Sequence, residues 1–248
     1  MTSTASQGPG PDKGLCRQFK DGRWKTFEDW IAPEVRITVH WPQRPPQRLW
    51  AFPCDLEDLA SGYALIEYCT PGEMPVPDGI DTHDENGRSE FFFRPGPDPR
   101  PRSIGALKPM APDRVLTAMR NFMTVGGQWD RTGCFHRAGL FDPGTGAMVH
   151  AVEDIGRHNC LDRLAAWALR KHRTPDSLVL FVSARITASL ATKAARAGFR
   201  AVVSRSATTT GAMSIIRDES MSLAAFAREG RFSVFADPLG VFGGAGPT

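Results

Sequence analysis

The sequence predicts an α/β protein with a mixed sheet covered by helices on both faces, and three observations carry that reading. Short strands alternate with helices through the second half, Leu178–Val182 is wholly apolar as a strand buried on both faces would be, and strand-to-helix turns recur there. At 248 residues and 27.2 kDa the chain can bury a substantial core. With 41% hydrophobic and 23% charged residues, wholesale disorder is excluded.

The elements follow in order. The segment 1–33, opening MTSTASQGPGPDKG, reads as a mobile N-terminal tail, with neither the basic start nor the apolar stretch of a secretory signal. A smaller β-rich domain is expected over 34–111. Val35–Val39 alternates apolar with polar and Leu49–Phe52 is its natural partner. Asp55 reads as the side-chain cap of a helix carrying Leu56, Leu59, Tyr63 and Ile66 on one face, stopped by Thr70-Pro71-Gly72. Ser89–Arg94 is a further strand. The four prolines of 95–101 predict a stiff, exposed connector with no regular structure, and a boundary at or just after it.

An α/β domain is then expected over 112–237. A helix starts at Pro112 with Val115, Met119 and Phe122 inward. Cys134–Phe141 and Ala147–Val152 form a hairpin around Asp142-Pro143-Gly144-Thr145-Gly146. Leu161, Leu164, Ala165, Ala168 and Leu169 have helical spacing. Strand Leu178–Val182, helix Ala188–Ala197 stopped by Gly198, strand Ala201–Ser204, helical material from Thr210 to Ala227 and strand Phe232–Phe235 complete it. The Gly-rich stretch 238–248 reads as a flexible tail.

Charge and cysteine usage narrow the function. A net charge of +3 is too mild to point to nucleic acid, and no apolar run is long enough to cross a membrane. The 24 Arg against 6 Lys fit either a GC-rich genome or a phosphate-rich ligand, since guanidinium forks grip phosphate at two points. The five cysteines have no C-x-x-C spacing, so neither a zinc knuckle nor a disulfide framework is indicated, and reduced thiols in the cytoplasm fit best. P-loop, Rossmann, nucleophile-elbow and zinc-deaminase signatures are all absent.

Chemistry concentrates at three strand-to-helix turns. The first is Glu153-Asp154-Ile155-Gly156-Arg157-His158-Asn159-Cys160-Leu161-Asp162-Arg163, where a helix start favours phosphate and His158 and Asp162 stand one turn apart, close enough to hydrogen-bond. Ser183-Ala184-Arg185-Ile186-Thr187 with Lys193 is the second, and Ser204-Arg205-Ser206-Ala207-Thr208-Thr209-Thr210 the third. Adjacent strands would open all three on one sheet edge as a nucleotide-like anion site. Taken singly, each is equally an ordinary helix cap with solvated charges.

The first turn also carries a resemblance. EDIGRHNCLD is similar to the E-D-[VI]-G-R-H-N-A-L-D-K signature of the FdhD family of formate dehydrogenase accessory sulfurtransferases. Thr132-Gly133-Cys134-Phe135-His136 resembles its T-G-G-T-H, Ser183–Thr187 its S-G-R-x-S, and Phe52-Pro53-Cys54-Asp55-Leu56, more weakly, its T-P-x-D-L. Lys193–Gly198 and Gly230–Phe235 are similar to its helix end and closing strand.

The resemblance implies a cytidine-deaminase-like C-terminal domain without zinc, a homodimer, and non-covalent binding of molybdenum bis-molybdopterin guanine dinucleotide (bis-MGD) or its GDP or GMP moiety. Its implied partners are the formate dehydrogenase catalytic subunit and a cysteine desulfurase. The expected cofactor-binding residues are His136, Glu153, Asp154, Arg157, His158, Asn159, Ser183, Arg185, Lys193, Ser204, Ser206 and the run Phe226, Ala227, Arg228, Glu229, Gly230, Arg231. One departure stands out. The family's C-G-x-C-G carrier cysteines, counted back from Ser103-Ile104, fall on Gly96 and Pro99, which bear no thiol. The chain is therefore read as a non-catalytic cofactor chaperone with Arg94, Arg100 and Arg102 beside the loop. The alternatives are a persulfide sulfurtransferase using Cys134 or Cys160, each beside a histidine whose imidazolium would lower the thiol pKa, and a guanine-nucleotide-binding regulator.

Overall fold

The computed structural model describes residues 9–81, 89–100 and 107–243. A two-stranded hairpin, β1 (Asp12–Lys20) and β2 (Arg23–Ile31), precedes a four-stranded sheet built from β3 (Val35–His40), β4 (Gln47–Ala51), β5 (Glu73–Asp81) and β6 (Ser89–Pro97) in the order β4-β3-β6-β5. Helix α1 (Leu56–Glu67) covers that sheet, placing Leu59, Ala60 and Ala64 against Ile37, Val39, Phe91 and Phe93.

A six-stranded mixed sheet follows. Its strands are β7 (His136–Asp142), β8 (Ala147–Asp154), β9 (Val179–Val182), β10 (Ala201–Ser204), β11 (Ser222–Arg228) and β12 (Arg231–Ala236), in the order β12-β11-β10-β9-β7-β8. Strands β9, β10 and β11 are parallel, and β7 runs antiparallel to both of its neighbours. Helices α4 (Arg157–Arg170), α5 (Ala188–Arg196) and α6 (Thr210–Asp218) cover one face and α2 (Pro112–Thr124) the other; α3 (Gln128–Thr132) is a single short turn before β7. The apolar run of β9 is explained residue by residue. Leu178, Leu180 and Val182 point to α4–α6, while Val179 and Phe181 point to α2.

Five expectations are corrected. Residues 238–243, expected within a flexible tail, are held in place: Val241 and Phe242 are fully buried, and their N–H groups donate to Asp237 at 2.8 and 2.9 Å. Residues 12–31, expected within a mobile tail, pair in full register around Asp21-Gly22, whose φ values of 52° and 75° are those of a tight hairpin turn. Pro95 and Pro97, expected in an irregular exposed connector, lie inside β6, paired with Pro75 and Glu73 of β5. They are tolerated because β3 pairs only with residues 89–92, so no strand needs their missing N–H groups on the other side. Asp98 and Arg100 follow in a half-buried ion pair of 2.6 Å. Asp55 has a left-handed backbone, φ 43°, and its side chain does not cap α1. The helical stretch expected from Thr210 to Ala227 ends at Asp218, and the buried residues after Met221 form β11.

The two sheets are joined through α1 and α4. Gly62 lies so close to the Asp162 carbonyl that a Cβ there would sit 1.8 Å from the oxygen, so only glycine allows this approach. Beside it, the buried Arg163 guanidinium donates to Asp154 (2.7 and 2.9 Å) and to the carbonyls of Phe52 (2.9 Å), Asp55 (3.0 Å) and Cys54. Asp154 also accepts from the Gly156 N–H at 2.9 Å and from Asn159 at 2.8 Å, and Asn159 donates in turn to the Trp50 carbonyl at 2.8 Å. A second buried contact holds Lys193 of α5 2.8 Å from Asp162 and 3.3 Å from Glu67 of α1.

Removing one partner of a buried charge pair leaves the other desolvated without compensation, at a cost of about 3–5 kcal/mol. Arg163→Ala is therefore expected to lose stability on that scale in urea unfolding. Arg163→Lys does not restore it, because a single ammonium cannot replace a planar fork that makes five hydrogen bonds to four acceptor oxygens.

Candidate functional site

Strand directions bring the three predicted turns together. Because β7 is antiparallel to β8 and β9, and β9 to β11 are parallel, the C-terminal ends of β8, β9, β10 and β11 open on one sheet edge, where β7 begins at His136. The turns after β9 and β10 run side by side, joined by hydrogen bonds from the Ile186 N–H to Ala207 (2.9 Å) and from the Thr209 N–H to Ile186 (3.2 Å). The starts of α5 and α6 touch there. A Cβ on Gly211 would stand 3.2 Å from Ala188 Cβ, so a small residue keeps the two N-termini in contact.

The edge divides the expected residues into two groups. Asp154, Asn159 and Lys193 are buried in the joints described above. Glu153 accepts from the Arg137 guanidinium at 2.6 Å and from the Gln128 N–H at 2.7 Å. Ser183 Oγ accepts from the Arg137 N–H at 2.9 Å, and Ser204 Oγ donates to the Ala184 carbonyl at 2.8 Å and accepts from the Ser206 N–H at 3.0 Å. Ala227 is fully buried under α2. These seven build the edge, and their polar groups are engaged within the fold. The expected His158–Asp162 bond is absent: Asp162 is buried against Lys193, and His158 Nε2 instead lies 3.1 Å from the exposed Ser189 hydroxyl.

The second group remains open. Arg157, His158 and His136 are half-buried, Arg185 and Arg205 are exposed, and Ser206 stands beside Phe226, whose N–H reaches its carbonyl at 2.9 Å. Arg228 and Arg231 are exposed on either side of the Glu229-Gly230 turn that closes β11 onto β12. No side chain caps the starts of α4 and α5, which leaves backbone N–H groups facing the same edge. Ser189 and Arg205 complete this set. Ser189 was missed because helical spacing on α4 does not reveal a neighbour on α5.

Electrostatics agree with an anion site. Burial, then the Arg157 guanidinium and Lys193, push His158 down to about 4; burial, then Arg157 and Arg185, lower His136 as well. Both imidazoles are neutral at pH 7, so the edge combines fixed guanidinium charge with neutral ring nitrogens. Among the described residues no cluster of His, Cys, Asp and Glu could hold a metal ion.

The two candidate thiols differ. Cys160 is fully buried, and burial drives its thiol well above the ordinary range, which removes it as a nucleophile. Cys134 is exposed and lines an open cavity of about 340 Å³ with Ala32, Glu34, Trp50, Ile155 and Gly156. No imidazolium activates either thiol, since His136 and His158 are neutral. Gly96, where the resemblance places one carrier cysteine, lies in β6, and a Cβ there would meet Val76 at 2.4 Å. Arg102, Ser103 and Ile104 lie outside the described residues.

A mixed sheet bearing such an edge defines an α/β protein with a cationic cradle and no metal-ligand cluster among its described residues. Comparison with known proteins makes the class specific. The chain belongs to the FdhD/NarQ family, whose profile matches residues 97–241. Over 149 residues it is 32% identical to the sulfur carrier protein FdhD of Staphylococcus aureus strain MRSA252 and 31% identical to that of strain JH9. In both cases 60% of this chain and 55% of the relative are covered, so the match spans little more than half of these relatives. The crystal structure of a protein from Desulfotalea psychrophila, provisionally described as a formate dehydrogenase accessory protein, superposes with a TM-score of 0.75. It covers 94% of this chain and 100% of the other at 18% identity, a likeness of fold.

An unfolded imidazole takes up its proton near 6.5, whereas folded His158 does so near 4. Its contribution to stability is therefore complete above 6.5 and lost as pH falls toward 4. An anion held by Arg157 reverses the field. Added pyrophosphate is expected to raise the His158 titration midpoint toward 6.5 in proton NMR, and Arg157→Ala to abolish that response.

Proposed function

We propose that this chain is an accessory protein of formate dehydrogenase maturation that binds bis-MGD by its phosphate-bearing guanosine ends and hands it to the apoenzyme. The observation that carries the reading is the shared edge on which Arg157, Arg185 and Arg205 stand with the starts of α4 and α5, which no side chain caps. Guanidinium forks and free N–H groups are a fitting donor set for a pyrophosphate. When bound, the cofactor brings a molybdenum centre and the negative charge of its phosphates.

Within this proposal each open residue has a stated task. Arg157 and Arg185 grip phosphate oxygens, Ser189 and Ser206 donate hydroxyl hydrogens, and Arg228 and Arg231 border the far end of the cradle. His158 offers a neutral ring nitrogen that adds no charge of its own. Asp154, Asn159 and Lys193 act indirectly, by fixing α4 and α5 where they start. The protein would work in the cytoplasm as a homodimer alongside the dehydrogenase catalytic subunit. Carrier sulfur on a thiol pair is left out, because positions 96 and 99 hold glycine and proline.

One observation favours a second reading. Cys134 is exposed at a cavity, so it could take the outer sulfur of a desulfurase persulfide, its thiolate attacking that sulfur and releasing the desulfurase thiolate. Intact mass after treatment with desulfurase and cysteine separates the two. One added sulfur per chain, lost in Cys134→Ala, establishes the carrier; an unchanged mass supports the chaperone.

For the leading reading, losing a charge-assisted hydrogen bond weakens binding by about tenfold or more. Arg157→Ala and Arg185→Ala are each expected to weaken GDP binding by that factor in calorimetry and to lower formate dehydrogenase activity in cells, with the melting temperature unchanged. A fall in melting temperature that matches the lost activity would make these arginines structural and overturn the proposal.

A further inference from the structure

The cavity beside α4 holds chemistry that phosphate binding leaves unused. Its walls are unlike one another. Trp50, at the end of β4, leaves 57% of its surface exposed, yet its backbone is pinned to α4 by the 2.8 Å bond from Asn159. Glu34 is exposed on the same cavity and, among the described residues, has no ion-pair partner. Ile155 and Gly156 line it too, where α4 begins and Arg157 follows. An exposed indole, a carboxylate and the start of a helix that continues with Arg157 thus line one cavity.

That asymmetry selects a ligand shape. A flat ring stacks on an exposed indole with little regard to its identity. A carboxylate only accepts hydrogen bonds, and it has two oxygens, so it prefers a ring edge with two adjacent N–H donors. The 2-amino-4-oxo pyrimidine edge, shared by guanine and pterin, offers that pair; adenine does not. A volume of about 340 Å³ admits a bicyclic ring.

We propose that this cavity is the subsite for a 2-amino-4-oxo heterocycle, with Trp50 stacked on the ring and Glu34 accepting from its ring N–H and amino group. The inference rests on the phosphate cradle, because the start of α4 would direct the anionic tail of the same ligand toward Arg157. It assigns Trp50 and Glu34 a recognition role that neither the motif residues nor the arginines supply.

The test uses the full chain with GDP, ADP, neopterin and inorganic pyrophosphate, read by calorimetry and by tryptophan fluorescence with Trp50→Phe as the reference. The expected result is quenching by GDP, neopterin or both that disappears in Trp50→Phe. GDP should bind roughly tenfold more tightly than ADP, a preference that Glu34→Gln removes while pyrophosphate binding is unchanged. Quenching by GDP alone assigns the subsite to the guanine end, and by neopterin alone to the pterin end; either supports it. Equal binding of GDP and ADP, indifferent to Glu34→Gln, overturns the subsite and leaves the cradle intact. If pyrophosphate and GDP both fail to bind, the cradle falls first and the inference with it.

Discussion

The buried contact between Asp154 and Arg163 is the interaction on which the remaining architecture depends. Asp154 is fully buried, and no water can offset its charge there. Arg163 neutralises it and spends its other donors on backbone carbonyls of the segment between β4 and α1. One guanidinium therefore fixes three things: the end of β8, the start of α4, and the position of the four-stranded sheet against the six-stranded one.

Function inherits that rigidity. Arg157 and His158 occupy the first turn of α4, so their placement follows from the residues behind them. The Lys193 contact with Asp162 and Glu67 does the same for α5, and burial pushes the Asp162 carboxyl up to about 7 against the pull of the ammonium. Much of the polar density in the Glu153–Arg163 motif is thus an internal frame, and the residues left open at the sheet edge are the minority.

Local spacing specifies those elements in which burial repeats with a fixed period. The β9 and β10 strands, the α2 face and the Gly198 stop are all consequences of spacing along a few residues. Failures arose where a local rule met a partner distant in the chain. Prolines 95 and 97 break a strand only if a neighbour demands their N–H, and β3 ends before it can. Asp21-Gly22 between Phe19 and Trp24 is a hairpin signal, but the large apolar side chains of β1 and β2, Leu15, Phe19, Trp24, Trp30 and Ile31 among them, stay exposed and so give no burial pattern to read. His158 and Asp162 do stand one turn apart, but α5 supplies each with a different partner.

By itself the sequence determined the α/β class, the order of most elements, three strand-to-helix turns rich in Arg and hydroxyls, and the absence of thiols at positions 96 and 99. These depend on residue type and near-neighbour spacing, which the chain carries explicitly. Only the tertiary structure decided which polar residues face inward and which remain available, because a carboxylate or guanidinium looks the same in sequence whether it meets water or a buried counter-charge. The meeting of Trp50 and Glu34 with the start of α4 was likewise decided there, since it requires two sheets to be packed before the cavity exists.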